Sequence, residues 1–298
     1  MKILIIGGTG TIGYQLAQYY KDEELYIMSR DEEKQWRMKL KHPNIKFYIG
    51  DIRDYSRTLY VITQSKPDII IIAAAMKHVD ICEVSTHECI HTNILGIKNV
   101  LDVVQSSDKL TVCYISSDKA CNPVNIYGMS KAIGEIMMIE KSITFPQSKF
   151  VTVRYGNVIN SRGSILQTLD IIGNSDEIDH FTLTHPDMER FVMTKEQSVQ
   201  LIDYAIKHGE SGDIIIPELV CMKIQDLMDI FSEKYKKPVK ITGLRPGEKI
   251  VEHLINETQL MKSVKKGKYI HVKREMVDER LNIDVNYLSK DEIKILLE

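Results

Sequence analysis

The chain has 298 residues, 43% of them hydrophobic and 27% charged, the balance of a globular protein with one large α/β domain or a main domain and a smaller partner. A formal charge of −2 offers no basic field for nucleic acid or an anionic membrane. The longest apolar run, Ile69 to Met76, is too short to cross a bilayer, and the apolar N-terminus stops at Gly7-Gly8 with no cleavage-type segment behind it, so cytoplasm is the expected location. Cys82, Cys89, Cys113, Cys121 and Cys221 are an odd set without a CxxC pair, which argues against a disulfide framework.

In chain order, Lys2 to Ile6 reads as a buried strand, Thr11 to Tyr20 as a helix and Glu24 to Met28 as a second strand. A helix from about Asp31, a strand at Lys46 to Ile49 and a helix at Asp54 to Gln64 follow. Asp68 to Ala73 has the unbroken Ile run of a central strand covered on both faces. Glu88 to Val104 predicts one long helix, Leu110 to Ser116 a strand, Asn125 to Lys141 a helix and Phe150 to Arg154 a strand. Strands separated by helix-length segments make parallel βαβ units, hence a Rossmann-type doubly wound α/β sheet. Beyond Asn157 the pattern loosens into loops at Ser161 to Ser164 and His185-Pro186. Later elements are a helix at Lys195 to His208, a strand at Asp213 to Ile216 and helices at Ile224 to Tyr235 and Gly247 to Ile255. The expected division is a main domain over 1–160, with 190–216 returning to it, and a smaller, helix-rich α/β lobe from 161–189 and 217–298.

Gly7-Gly8-Thr9-Gly10-Thr11-Ile12-Gly13 follows the first strand directly and opens the first helix. Glycine supplies the turn geometry and lets the backbone approach a pyrophosphate, while the helix N-terminus offers N–H donors and a positive dipole. The end of the second strand discriminates between dinucleotides. An acidic residue there holds the ribose of NAD, whereas Ser29-Arg30, with Lys34 one turn on, suits a 2′-phosphate. NADP is therefore the favoured cofactor, and Asp31 keeps NAD open.

Tyr127 and Lys131 stand one helical turn apart on one face, after the strand Leu110 to Ser116. A phenol normally titrates near ~10, so a neighbouring ammonium and a cationic nicotinamide would be needed to make Tyr127 a base for a sugar or alcohol hydroxyl. With the glycine loop, this pair resembles the extended short-chain dehydrogenase/reductase superfamily, most of whose members remodel nucleotide sugars. Ser117-Asp118-Lys119-Ala120 is similar to the Thr-Asp-Lys of inverting UDP-N-acetylglucosamine 4,6-dehydratases, with Ser117 in place of Thr. Retaining dTDP-glucose 4,6-dehydratases carry Asp-Glu there. The same subfamily is matched in order by Ser29 to Gln35, Ala73 to Val79, Arg154 to Val158, Ser161 to Ser164, Met188 to Phe191 and Arg245 to Lys249. A related branch often has Met where this chain has Tyr127, which points instead to the branch feeding pseudaminic acid or similar L-sugars.

The resemblance implies UDP-N-acetylglucosamine as substrate and UDP-2-acetamido-2,6-dideoxy-β-L-arabino-hex-4-ulose as product. Tyr127 would take the 4-hydroxyl proton while hydride passes from carbon 4 to NADP. Lys119 would remove the carbon 5 proton, Asp118 would protonate the departing 6-hydroxyl, and hydride would return to carbon 6 as carbon 5 inverts. It also implies cofactor contacts from Asp51, Ile52, Ala73, Ala74, Ala75, Tyr155 and Asn157, besides the glycine loop, Tyr127 and Lys131. Lys77 and His78 are expected near the sugar, Asn157 near the phosphates, Arg190 and Arg245 as diphosphate clamps and Glu248 on the uridine ribose. A homo-oligomer is expected through the helices at Glu88 to Val104 and Asn125 to Lys141. UDP-sugar 4-epimerase, which shares the Tyr-x-x-x-Lys chemistry, and an inactive NADP-sensing regulator are the alternatives. His87-Glu88-Cys89-Ile90-His91 matches the H-E-x-x-H zinc pattern, but it opens the helix after the central strand and would leave the glycine loop unexplained, so no metal is expected.

Overall fold

The computed structural model describes residues 1–105, 108–218, 220–277 and 281–297. Its strands are β1 (Lys2–Ile6), β2 (Glu24–Ser29), β3 (Lys46–Ile49), β4 (Ile69–Ile72), β5 (Thr111–Ile115), β6 (Lys149–Val153), β7 (Asn157–Val158) and β8 (Phe181–Leu183). These are followed by β9 (Glu189–Met193), β10 (Ile214–Pro217), β11 (Val220–Lys223), β12 (Val239–Ile241), β13 (Ser263–Lys266), β14 (Tyr269–Val272) and β15 (Asn286–Tyr287). Nine of them form one sheet in the order β13-β14-β10-β6-β5-β4-β1-β2-β3, parallel except at β14 and β13. The strand order reverses beside β1, where β4 and β2 flank it, and a ligand crevice is expected at such a switch point.

The Ile run of β4 shows why this sheet is buried on both faces. Ile69 and Ile71 pack into one apolar layer with Leu16, Ala17, Ile202 and Ala205, while Ile70 and Ile72 face the other with Ile97, Val100, Leu101 and Met138. Period-two alternation therefore serves two helix layers, and no residue of the strand is left for water. The helices begin where side chains can satisfy free N–H groups. Asp31 accepts from the Lys34 amide at 3.0 Å, Asp54 from Arg57 at 2.9 Å and Asn125 from Gly128 at 2.7 Å.

Four expectations are corrected. Glu88 to Val104 is broken into helices Thr86–Ile90 and Gly96–Val103 by a π turn at His91–Leu95. Within that turn the Asn93 amide bonds both the N–H and the carbonyl of Met76, at 2.8 and 2.9 Å, and pins the loop after β4. Gly247 to Ile255 is not helical: Gly247 has φ +77°, and the carbonyls of Lys249 and Ile250 accept from the Arg190 guanidinium rather than from later amides. The second lobe carries strands that were not expected, the small sheet β15-β11-β9-β7 and the pair β12-β8 around Phe181, Leu227, Met228 and Phe231, and β9 pairs there rather than in the main sheet to which residues from 190 were assigned. The stretch 217–298 is also divided, because β13 and β14 turn back to extend the main sheet beside β10.

One buried ion pair joins the two regions. Arg154, just after β6 and 1% exposed, donates to both Glu135 oxygens at 2.9 and 2.5 Å and to Leu254 O and Gln259 Oε1 at 2.8 Å each. Removing one partner of such a pair strands a buried charge. Glu135→Ala should therefore lower the unfolding free energy in urea by about 3–5 kcal/mol, and Glu135→Leu with Arg154→Met should recover much of that loss.

Candidate active site

The turn after β1 is built by sterics. Gly7 has φ +88°, and a β-carbon there would lie 2.6 Å from the Ala74 amide nitrogen. A β-carbon on Gly13 would lie 2.4 Å from Gly8 Cα, so Gly13 lets the helix Thr11–Tyr19 sit close against the turn, as Gly7 lets the segment after β4 do. This cradle opens into a cavity of about 1010 Å³ that runs from Gly7, Gly10, Thr11, Ile12 and Gly13 past Ala73, Ala75, Ser117, Lys119, Tyr127 and Lys131 to Arg245 and Glu248. Its size suits a dinucleotide and a sugar nucleotide end to end, and its glycine end fits a pyrophosphate.

At the adenosine end the structure redistributes the expected roles. The Ser29 hydroxyl is buried and accepts from Gln35 Nε2 at 2.9 Å, and Arg30 lies 3.9 Å from Asp51. Asp51 is itself held by Arg53 at 2.6 Å, Ile52 packs against Gly96, and Ala74 lies under Gly7, so none of these side chains lines the large cavity. A second hollow of about 160 Å³ lies beside Thr9, lined by Lys34, Arg37, Lys41 and Arg162 with Tyr14 and Met38. Lys34 and Thr9 were legible in the sequence; Arg37, Lys41 and Arg162 were not, because a solvated cation on a helix or loop carries no signal of what faces it.

The candidate catalytic groups converge at the C-terminal edge of β5. Ser117 Oγ donates to Asp118 Oδ1 at 2.8 Å, and Lys119 Nζ lies 3.1 Å from that same oxygen. Asp118 is 1% exposed, and its other oxygen, Oδ2, has no hydrogen-bond partner among the described residues. Glu252, 3% exposed and not singled out in the sequence, brings Oε1 to 3.5 Å from Lys119 Nζ. Burial pushes the Lys119 pKa down, but Asp118 and Glu252 outweigh it and the group is held above its ordinary value as an ammonium. Burial pushes the Tyr127 phenol up to about 12, against the lowering effects of Ser117 and Lys119. The expected Tyr127–Lys131 coupling is weaker than the spacing suggests. Lys131 Nζ instead donates to the Ile115 carbonyl at 2.8 Å and lies 4.8 Å from the Tyr114 ring centre.

Of the residues expected near a substrate, Lys77, His78, Asn157, Arg245 and Glu248 line the cavity, as does Tyr155, expected near the cofactor. Arg190 reaches it too, but its guanidinium is committed to the carbonyls of Glu189, Lys249 and Ile250, at 2.7, 2.9 and 3.0 Å. Glu248 accepts from the Arg245 amide at 3.2 Å and closes the Pro246-Gly247 turn. The Ser161–Ser164 loop straddles the two ends: Arg162 donates to the Thr9 carbonyl, while its own carbonyl accepts from Lys77. In the H-E-x-x-H segment His87 and His91 are exposed, and Glu88 is paired with Arg53 at 2.5 Å.

Residues 3–274 match the family model described as polysaccharide biosynthesis protein. A UDP-glucose 4-epimerase of Rickettsia bellii is 36% identical over 99% of this chain and 88% of its own length. A Methanocaldococcus jannaschii protein described as an uncharacterized membrane protein is 34% identical over 97% of this chain and 90% of its own. Among solved structures, Pen from Bacillus thuringiensis superposes with a TM-score of 0.90 at 29% identity, covering 99% of this chain and 96% of that one. The chain belongs to the polysaccharide biosynthesis protein family. It has the extended short-chain dehydrogenase/reductase fold, and the family includes relatives named for nucleotide-sugar epimerisation. Among the described residues of this family member no helix is long and apolar enough to cross a membrane.

Desolvation lowers the Lys131 pKa to about 8 from an ordinary 10.5. Between those values the unfolded chain binds the extra proton and the folded chain does not, so stability should rise with pH across that window. In cofactor-free protein Lys131→Met should flatten the rise, by on the order of 3 kcal/mol between neutral pH and about pH 10, measured by urea denaturation.

Proposed function

We propose that this protein is an NADP-dependent UDP-N-acetylglucosamine 4,6-dehydratase that inverts carbon 5. The observation that carries the reading is the buried Asp118–Lys119 pair beside Ser117 and Tyr127 at the C-terminal edge of β5. Oxidation at carbon 4 alone needs only a base at the hydroxyl, which Tyr127 supplies. Eliminating water across carbons 5 and 6 needs in addition a base and an acid held together away from solvent. Asp118 and Lys119 meet that need.

The nicotinamide cofactor, when bound, accepts hydride from carbon 4 and returns it to carbon 6. Tyr127 receives the 4-hydroxyl proton, with Ser117 and the Lys119 charge favouring the phenolate. An Nζ–H proton of Lys119 passes to Asp118, leaving a neutral amine and a neutral acid; Lys119 then takes the carbon 5 proton and Asp118 gives its proton to the departing 6-hydroxyl. Lys34, Arg37, Lys41 and Arg162 around the smaller hollow favour a 2′-phosphate and hence NADP over NAD. Lys77, His78, Asn157, Arg245 and Glu248 form the nucleotide-sugar side, with Arg190 fixing the segment they border. Met129, Ile133, Ile136 and Ile143 stand exposed along the helix Ile126–Thr144, which supports assembly of two copies through that face.

A 4-epimerase is the second reading, favoured by the name of the Rickettsia relative. Incubation with UDP-N-acetylglucosamine and catalytic NADP in D₂O, followed by proton NMR, separates the two. The expected product is a 4-keto-6-deoxy sugar of L configuration with deuterium at carbon 5. A D-configured product removes the inversion, and simple exchange with the 4-epimer makes the protein an epimerase. Asp118→Asn should slow dehydration by about 10²–10⁴-fold, the range for loss of a positioned acid.

A further inference from the structure

Glu252 belongs to no motif singled out in the sequence, yet it is one of the most deeply buried carboxylates of the molecule and it reaches the reacting centre. It lies just beyond the irregular segment after the Pro246-Gly247 turn, and that segment is held in place twice. The Arg190 guanidinium grips the carbonyls of Lys249 and Ile250, and the Glu189 amide donates to Ile250 O at 3.0 Å. Two residues further, Leu254 O accepts from the buried Arg154. Backbone anchored on both sides aims Glu252 at Lys119, with Oε1 3.5 Å from Nζ. Its second oxygen lies 3.2 Å from Lys249 Nζ, which donates to the Cys121 carbonyl at 2.8 Å.

We propose that Glu252 is a positioning residue for Lys119: it clamps the ammonium jointly with Asp118 and holds Nζ against the Asp118 carboxylate, which takes its proton when Lys119 is to act as a base. Carboxylates of this kind are rarely buried without a charged partner, because desolvation costs several kcal/mol per ion. Here the charges alternate, Asp118, Lys119, Glu252 and Lys249, and the cluster is neutral as a whole. The charged and titratable groups facing Lys119 are Asp118 from its own turn, Tyr127 from the helix behind it, Arg190 from β9 and Glu252 from the anchored segment. Of the two carboxylates, Asp118 must protonate the departing hydroxyl, so it is the one that takes the Lys119 proton, while Glu252 stays ionised and holds Nζ in place. In that transfer an Nζ–H bond of Lys119 breaks and an O–H bond forms on Asp118, leaving a neutral amine and a neutral acid. No electrons change hands and no other reactant enters.

The effect of the clamp on the carbon 5 step rests on the dehydratase reading; the clamp does not, and the test separates them. Purified full-length protein is treated with trace acetic anhydride over a range of pH, and acylation of Lys119 is read by peptide mass spectrometry against exposed Lys109. In the parent protein Lys119 should acylate at higher pH than Lys109. Glu252→Gln should lower the half-acylation pH of Lys119 by about one unit or more, whereas Glu252→Asp, which keeps the charge, should stay nearer the parent. An unchanged half-acylation pH in folded Glu252→Gln overturns the clamp, as does an equal shift in both variants. If Glu252→Gln does not fold, a parent Lys119 that acylates at or below the pH of Lys109 overturns it. Where the parent dehydrates UDP-N-acetylglucosamine, Glu252→Gln should still oxidise carbon 4, seen as reduced cofactor in a single turnover. It should lose carbon 5 deuterium incorporation by about tenfold or more. Carbon 5 exchange at the parent rate overturns the positioning of Lys119 for that step. A parent that shifts Lys119 as expected but dehydrates no sugar sinks the reaction and leaves the clamp standing.

Discussion

A single guanidinium, that of Arg154, is bonded at once to the helix that carries Tyr127, through Glu135, and to the C-terminal segment, through Leu254 and Gln259. Glu135 in turn accepts from Ser116 Oγ at 2.6 Å, one residue before the Ser117-Asp118-Lys119 turn. A bidentate Arg–carboxylate pair is geometrically demanding, and in a dry interior neither partner can drift without leaving a bare charge. The position of β6, the Tyr127 helix, the Ser117 turn and the Glu252 segment are thereby fixed relative to one another. The site is assembled around that constraint rather than around any one loop.

The electrostatics of the site follow from this rigidity. Burial works against Lys119 and Lys131 alike, yet the two end on opposite sides of their ordinary value. Lys119 has two carboxylates within contact distance, whereas Lys131 has a carbonyl and an aromatic face. Neighbours decide the sign when burial is shared. The result is one lysine that stores a proton and another whose charge is cheap to lose, side by side in one cavity.

The phosphate end has a different logic. There the backbone does the shaping: Gly13 removes an atom that would block the approach of the helix to the turn, and Gly7 one that would meet Ala73 and Ala74 after β4. Arg162 crosses from the second lobe to the Thr9 carbonyl and joins Lys34, Arg37 and Lys41 around one small hollow. The glycine turn and the Lys77 end of the large cavity are thus linked through a loop, Ser161 to Ser164, whose carbonyl at Arg162 also receives Lys77.

What the sequence by itself determined is local. The glycine loop, the Ile-rich central strand, the Asp31 and Asp54 helix starts and the Ser117-Asp118-Lys119 turn each depend on residues within a few positions of one another. Short-range sterics, side-chain periodicity and capping are legible without a partner. The tertiary structure decided what depends on distant segments. It brought Glu252 to Lys119, spent the Arg190 guanidinium on backbone carbonyls and turned Lys131 toward Ile115. It also broke the expected helix at His91–Leu95, where Asn93 is drawn to Met76. Charge state and hydrogen-bond commitment are set by burial and by whatever packs alongside, and neither quantity exists until the chain has folded.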